Sequence, residues 1–356
     1  MTSGLPFETV VGARFVRKLD GGNSAETHLA ECAEDGALIV VKQLTRGVHA
    51  NADMILREAL KIRQLGAGNR STNLVEILYV GFDKTDPDTL RLAMPFYERG
   101  SLEDQVKSAS VSPRRAVEYA RGVLNALSRV HAEGMLHYDI KPANLLVDGL
   151  GHVRLSDFGH SLELDPALNV TAPGDTTPLL HTVEKYQGKP IGPAADLHQV
   201  GILLYWLLHG TPFVLHELHR ESSRWLHVLA EGLDQHFWWS PHVPADLKEV
   251  IGRAVSRGRR RFSTALEMNN ALASCSLAAP LADFTFEFDG TDRVVRGEPA
   301  PGRGWTGRLA PAAGGTRLIC GMDDGAPFKK LRGSDQTYPR QADAEAALEV
   351  EVRRLS

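Results

Sequence analysis

Cysteine is scarce: Cys32, Cys275 and Cys320 are the only three in 356 residues, and no two share a C-x-x-C spacing. Neither a disulfide framework nor a cysteine-based zinc site is expected. Long apolar runs are missing as well, since Val200 to Leu208 is the longest and is too short to cross a bilayer. The start, Met1-Thr2-Ser3-Gly4-Leu5-Pro6, lacks the charged-then-apolar pattern of an export signal, so a cytoplasmic protein is expected. No sign of charge dominates: 40 basic and 44 acidic residues give a net charge of −4, too weak and too mixed to hold nucleic acid or an anionic membrane. The histidines from His198 to His242 carry no ligand motif and read as core or solvated side chains.

What is present is 43% hydrophobic residues, enough for one large two-part domain or two ordinary ones. Residues 1–98 read mainly as short strands, Arg14 to Leu19, Thr27 to Cys32 and Leu38 to Leu44, separated by turn-rich stretches such as Asp20-Gly21-Gly22-Asn23. One helix interrupts them from Ala52 to Leu65, with Ile55, Ala59 and Ile62 on one stripe and Gly66 placed to end it. Residues 99–275 read mostly as helix. Ser112-Pro113 is an N-cap and first-turn pair for a helix to Ala132, with Val117, Ala120, Leu124, Leu127 and His131 on one face. A strand-rich part meeting a helical part near residue 98 predicts a ligand-binding cleft. Residues 276–356 alternate, as in Phe284-Thr285-Phe286-Glu287-Phe288, and read as a small appendage whose chemistry the sequence does not announce.

The chemistry concentrates in His137-Tyr138-Asp139-Ile140-Lys141-Pro142-Ala143-Asn144 and in Asp157-Phe158-Gly159. Leu145-Leu146-Val147 and His152-Val153-Arg154-Leu155 are expected to pair as a hairpin about Asp148-Gly149-Leu150-Gly151, which puts two carboxylates, a lysine and an amide on adjacent turns. Phosphoryl transfer needs such a set: a group to orient the attacking hydroxyl, and hard oxygen ligands for magnesium on the phosphates.

These two runs resemble the catalytic loop and metal-binding turn of eukaryotic-like Ser/Thr protein kinases, of a bacterial type carrying a C-terminal extension. The resemblance spans Arg14 to Leu272 and implies an α+β, two-lobed kinase fold: N-lobe 1–98, C-lobe 99–275, then the extension. It implies ATP and Mg2+ as cofactors, a protein substrate, and no nucleic-acid or membrane partner; it leaves the oligomeric state open. Asp139 matches the catalytic base, Lys141 the cation that neutralises the moving phosphoryl group, Thr177 the substrate-side threonine, and Asn144 and Asp157 the metal ligands. Lys42 matches the phosphate-contacting lysine and Glu58 its ion-pair partner. Leu19, Gly22, Met94, Pro95, Tyr97 and Leu146 match nucleotide-contacting positions, Met94 as gatekeeper. Adenine is then expected on the carbonyl of Pro95 and on the N–H and carbonyl of Tyr97. Glu184 and Arg261 match an ion pair that closes a loop, and Asp196 a buried acceptor for the catalytic loop.

Three departures stand out. The phosphate loop G-x-G-x-x-G reads Asp20-Gly21-Gly22-Asn23-Ser24-Ala25, keeping only Gly22, so weaker nucleotide binding is expected. Tyr138 replaces the arginine that grips a phosphorylated activation loop, so activity is expected not to depend on phosphorylation at Thr171, Thr176 or Thr177. Thr182-Val183-Glu184 keeps the glutamate of A-P-E and loses its proline. The eroded phosphate loop also leaves open a pseudokinase, a scaffold that binds nucleotide without turnover. A kinase of small molecules fits less well with Lys141-Pro142 and Thr177-Pro178.

Overall fold

The computed structural model describes residues 13–19, 26–45, 52–66, 73–83, 86–171, 180–221, 228, 231–277, 283–323, 329–331 and 334–355. The chain forms two compact units: Met1–Gly100 with Leu146–Ser161, and Ser101–Leu145 with Leu162–Ser356.

The first unit is built on β1 (Ala13–Leu19), β2 (Glu26–Cys32), β3 (Leu38–Thr45), β4 (Tyr79–Phe82) and β5 (Thr89–Pro95), an antiparallel sheet in the order β1-β2-β3-β5-β4. The three strands expected from sequence differ from β1, β2 and β3 by at most one residue at an end. Alternation turns Ala13, Ala30, Ile39, Val41 and Ala93 to one face, where Phe15 and Tyr79 cover them. Helix α1 (Ala52–Gly66) buries Ala59 and Ile62 from its predicted stripe. The hairpin of β7 (Leu145–Val147) and β8 (Val153–Leu155) forms about Asp148, whose carboxylate accepts from the N–H groups of Leu150 and His152 and pairs with Arg154. Residues 73–75 bind this hairpin: Leu155 donates to Asn73 and accepts from Val75, and the Asn73 amide donates to the Val153 carbonyl. These bonds tie residues 146–161 to the strand-rich unit.

In the second unit, α2 (Leu102–Gln105) starts at a capping box between Ser101 and Asp104. Helix α3 (Pro113–Ala132) starts where expected, the Ser112 hydroxyl accepting from Arg115 N–H, and buries Val117, Ala120, Leu124 and Leu127. Strands β6 (Met135–Leu136) and β9 (Leu162–Glu163) pair, and α4 (Val183–Tyr186) is capped by Thr182. The long α5 (Pro193–Glu221) is apolar almost throughout and bends at Gly210, whose φ of 76° suits glycine. A Cβ there would stand 3.2 Å from the Ala109 carbonyl carbon, so glycine also lets residues 109 and 110 pass close by. Helices α6 (Ala245–Val255) and α7 (Ala265–Ala273) complete the helical part.

Beyond it, β10 (Thr285–Phe288), β11 (Arg293–Ala300), β12 (Arg303–Ala312), β13 (Gly315–Asp323) and β14 (Lys329–Lys330) form a meander. Strand β15 (Gln336–Tyr338) also pairs β13, and α8 (Gln341–Arg353) lays Leu348 beside Gly307 and Trp305. This sheet is joined to the helical part. Ser110 N–H donates to the Phe286 carbonyl, Phe286 N–H donates to the Ser110 hydroxyl, and the alternating Phe284, Phe286 and Phe288 are all buried. Phe286 meets Phe213, His209 and Trp238, Phe288 meets Phe213 and His216, and Phe284 stacks on Trp305. The Arg293 guanidinium lies over Trp238 and pairs with Glu345 of α8. Burial of a phenylalanine contributes about 1.5–3 kcal/mol, so Phe286 and Phe288, the two that meet the helical part, make this a firm attachment.

Candidate functional site

In the first unit Lys42 lies on β3 in register with Leu92 of β5. Its ammonium stands 3.4 Å from Asp157 Oδ2, both side chains being partly exposed. Asp157 follows β8 with a left-handed φ of 63°, a conformation that persists only where its surroundings hold it. Phe158 is buried after it, and its carbonyl accepts from the N–H and hydroxyl of Ser161. Met94 is buried on β5 opposite Val40, and Pro95 pairs Ile39 at the strand end. The Tyr97 carbonyl accepts from Gly100 N–H at 3.0 Å; a carbonyl has two lone pairs, so one can serve this turn and the other a ligand. Burial raises the Tyr97 phenol above its ordinary pKa, and its oxygen accepts from Glu76 N–H at 3.4 Å. Leu19 and Leu146 are both half-buried in this unit. Glu58 is on α1, but its side chain lies outside the described residues, as do Gly22 with the phosphate loop and Thr177.

In the second unit residues 137–144 are held by α5. Asp196, fully buried, accepts from His137 N–H at 2.9 Å and Tyr138 N–H at 2.8 Å, as its place on an apolar helix predicted. Two partners were not anticipated. His131 Nε2 stands 2.8 Å from Asp196 Oδ2, and Gln199 accepts from Ile140 N–H while donating to the Tyr138 and Leu180 carbonyls. Gln199 follows Asp196 by three residues and therefore shares its helix face, the one signal that could have revealed it.

This scaffold presents Asp139, 2% exposed. Lys141 Nζ and Asn144 Nδ2 both reach its Oδ2 at 2.8 Å, and Asn144 Nδ2 also reaches the Asp139 carbonyl at 2.8 Å. Asn144 is fixed from behind by a short 3-10 turn, Pro142–Asn144, its own N–H donating to the Lys141 carbonyl. Tyr138, with a φ of 61°, sends its ring away from this group into a cluster with Leu136, Ile191 and Ala195, fringed by Leu162, Leu164 and Val170. Val170 and Ile191 exchange two backbone hydrogen bonds beside it. The expected Glu184–Arg261 ion pair is present.

The donor chemistry fits a magnesium nucleotide. In the first unit Asp157 carries carboxylate oxygens with the Lys42 ammonium beside it, and in the second unit Asn144 carries an amide oxygen; both are hard donors of the kind Mg2+ takes.

Residues 14–270 match the protein kinase domain family. Among curated proteins the chain is similar to serine/threonine-protein kinase PrkC of Bacillus subtilis, 24% identical over 294 residues that cover 80% of this chain and 44% of that protein. It is also similar to the probable serine/threonine-protein kinase PknB of Bifidobacterium longum, 30% identical over 309 residues, again 80% of this chain and 44% of the relative. Serine/threonine-protein kinase PAK 4 of Homo sapiens is 25% identical over 254 residues, covering 70% and 41%. The chain thus spans less than half the length of these relatives. With a family match running from β1 through most of α7, and with the loop of Asp139 and the Lys42–Asp157 pair both formed, the chain belongs to the protein kinase domain family.

Proposed function

We propose that this chain transfers the γ-phosphoryl group of ATP to Ser or Thr hydroxyls of protein substrates, itself included. The observation that carries the proposal is the convergence of Lys141 and Asn144 on the buried Asp139 carboxylate, a group built to orient one hydroxyl. Asp139 aligns the acceptor hydroxyl and takes its proton as the new P–O bond forms and the bond from the γ-phosphorus to the β–γ bridging oxygen breaks, releasing ADP. Lys141 offsets negative charge on the phosphoryl group in transit. Asn144 and Asp157 hold Mg2+, which supplies charge neutralisation on the phosphates when bound. Lys42, with Glu58 as its expected partner, positions the α- and β-phosphates, and Thr177 supports the substrate side. Leu19, Met94 and Leu146 enclose the adenine, Pro95 and Tyr97 offer it backbone groups, and Gly22 lets the phosphate loop approach. Residues 1–98 serve as the nucleotide lobe, 99–275 as the substrate lobe, and 276–356 as an extension of the latter.

No helix among the described residues is long and apolar enough to cross a membrane. Arginine in excess of lysine and the two bacterial relatives support a bacterial enzyme, for which a cytoplasmic location is proposed. The test is transfer from labelled ATP to the chain itself and to a generic basic protein, by wild type and Asp139→Ala. Wild type is expected to label both and the variant neither; equal labelling by the two would end the assignment.

A further inference from the structure

Helix α5 uses Asp196 and Gln199 to hold the catalytic loop, and between them it carries His198, which takes no part in that network. His198 is buried at 3% exposure, and among the described residues neither ring nitrogen meets a protein hydrogen-bond partner. The His181 backbone approaches the ring without reaching hydrogen-bond geometry. Burial drops its pKa from 6.5 to about 3, so the ring is neutral and offers one N–H donor and one bare nitrogen. Two more buried polar atoms in the same position belong to the nearby ion pair: Glu184 Oε2 and Arg261 Nε. His198 and Arg261 line one small cavity of about 10 Å3, closed by Val183, Leu233, Val255, Ser256 and Arg257.

A buried polar atom left unpaired costs about 1–3 kcal/mol, and four of them around one ion pair would be hard for a marginally stable fold to carry. A cavity of this size is at the lower bound for one water, and the His198 ring and the Arg261 guanidinium on its wall offer the two to four partners that a buried water needs. A water also suits the mixed set, donating to an imidazole nitrogen or carboxylate oxygen while accepting from a guanidinium N–H. We propose that this cavity binds a single water molecule, and that through it His198 is a positioning residue tying the Glu184–Arg261 pair to α5. The helix that fixes residues 137–140 is then tied a second time to residues 180–184, beyond the Gln199 bond to the Leu180 carbonyl.

The effect on turnover rests on the phosphoryl-transfer reading; the water and its effect on stability do not. A high-resolution crystal structure of the full chain is expected to show a water within about 3.2 Å of a His198 ring nitrogen and of Arg261 Nε or Glu184 Oε2. His198→Phe keeps the ring volume and removes both nitrogens; its Tm is expected to fall by about 3–8 °C. KM for a protein substrate should rise about 3- to 10-fold with KM for ATP unchanged, and His198→Gln, which keeps a donor and an acceptor, should recover both readouts to within about twofold of wild type. A wild-type map without that water, or a His198→Phe protein as stable as wild type, overturns the proposal. Should His198→Phe fail to fold, the wild-type map decides. If wild type transfers no phosphate at all, the map and the Tm still decide.

Discussion

The residues around Asp139 and the pair formed by Lys42 and Asp157 are held in different ways. Around Asp139 every backbone N–H from His137 to Ile140 meets a side-chain acceptor, Asp196, His137 or Gln199, and the carboxylate is met by Lys141 and Asn144 in a buried setting. Lys42 and Asp157 meet through one ion pair of 3.4 Å, with side chains 27% and 45% exposed. The first arrangement is enforced by the fold whether or not a ligand is bound. The second rests on a partly exposed ion pair, which the fold enforces less firmly. Stability and activity should therefore be coupled in the first group and separable in the second.

The hardest blow to that contrast is Asp196→Ala. It strands the buried N–H groups of His137 and Tyr138, at about 1–3 kcal/mol each, so the expected outcome is a Tm lower by roughly 5–15 °C together with a turnover loss of about 100-fold or more. A variant that loses turnover at unchanged Tm would show that the loop does not depend on this anchor. Lys42→Met should do the opposite, with transfer falling about 100-fold or more while Tm moves by no more than a degree or two, because a half-exposed ion pair contributes under about 1 kcal/mol. Calorimetry beside the labelled-ATP assay reads both.

Acid should weigh more heavily on the second unit, since among the described residues the first holds one histidine lowered by burial, His28, and the second holds three. His198, His209 and His242 all lie in the second unit, each with its pKa lowered by burial from 6.5 to about 3. Well above pH 6.5 they are neutral folded or unfolded and contribute no pH dependence. As pH falls from 6.5 towards 3 the unfolded chain takes up three protons that the folded chain refuses, and stability drops by up to about 4 kcal/mol per pH unit. All five tryptophans lie between residues 206 and 305, so their fluorescence reports this unit alone. A Tm by fluorescence that stays level from pH 6.5 to pH 4.5 would refute the assignment. The smallest effect is expected of phosphatase. The Tyr138 ring packs with Ile191, Ala195 and Val170 where a cation would grip a phosphate, so treated and untreated protein should transfer at rates within about twofold. A large loss on treatment would show a phosphate clasp elsewhere.

Much of this was legible because the signals are local. Ser112-Pro113 marks a helix start through its own side chain and ring, and the spacing from Asp139 to Asp157 is fixed by a hairpin whose turn is written in Asp148 and its neighbours. Asp196 could be assigned an acceptor role because a lone carboxylate on an apolar helix has few other uses. The seating of the extension was not legible. Alternating Phe284, Phe286 and Phe288 announce a strand with one apolar face, but its partner Ser110 is 176 residues away in sequence, and no local rule connects them. Tyr138 was readable as the loss of a cation but not as the gain of an apolar plug, since Ile191 and Ala195 join it only through the tertiary fold.

That seating bears on how the chain can be handled. The family match ends at residue 270, yet Phe213, Trp238 and His209 are covered by side chains that come after it. A protein trimmed to the family boundary would bare a greasy aromatic patch and is expected to clump. Residues 276–356 therefore act less as cargo carried behind the family-matched part than as one of its walls.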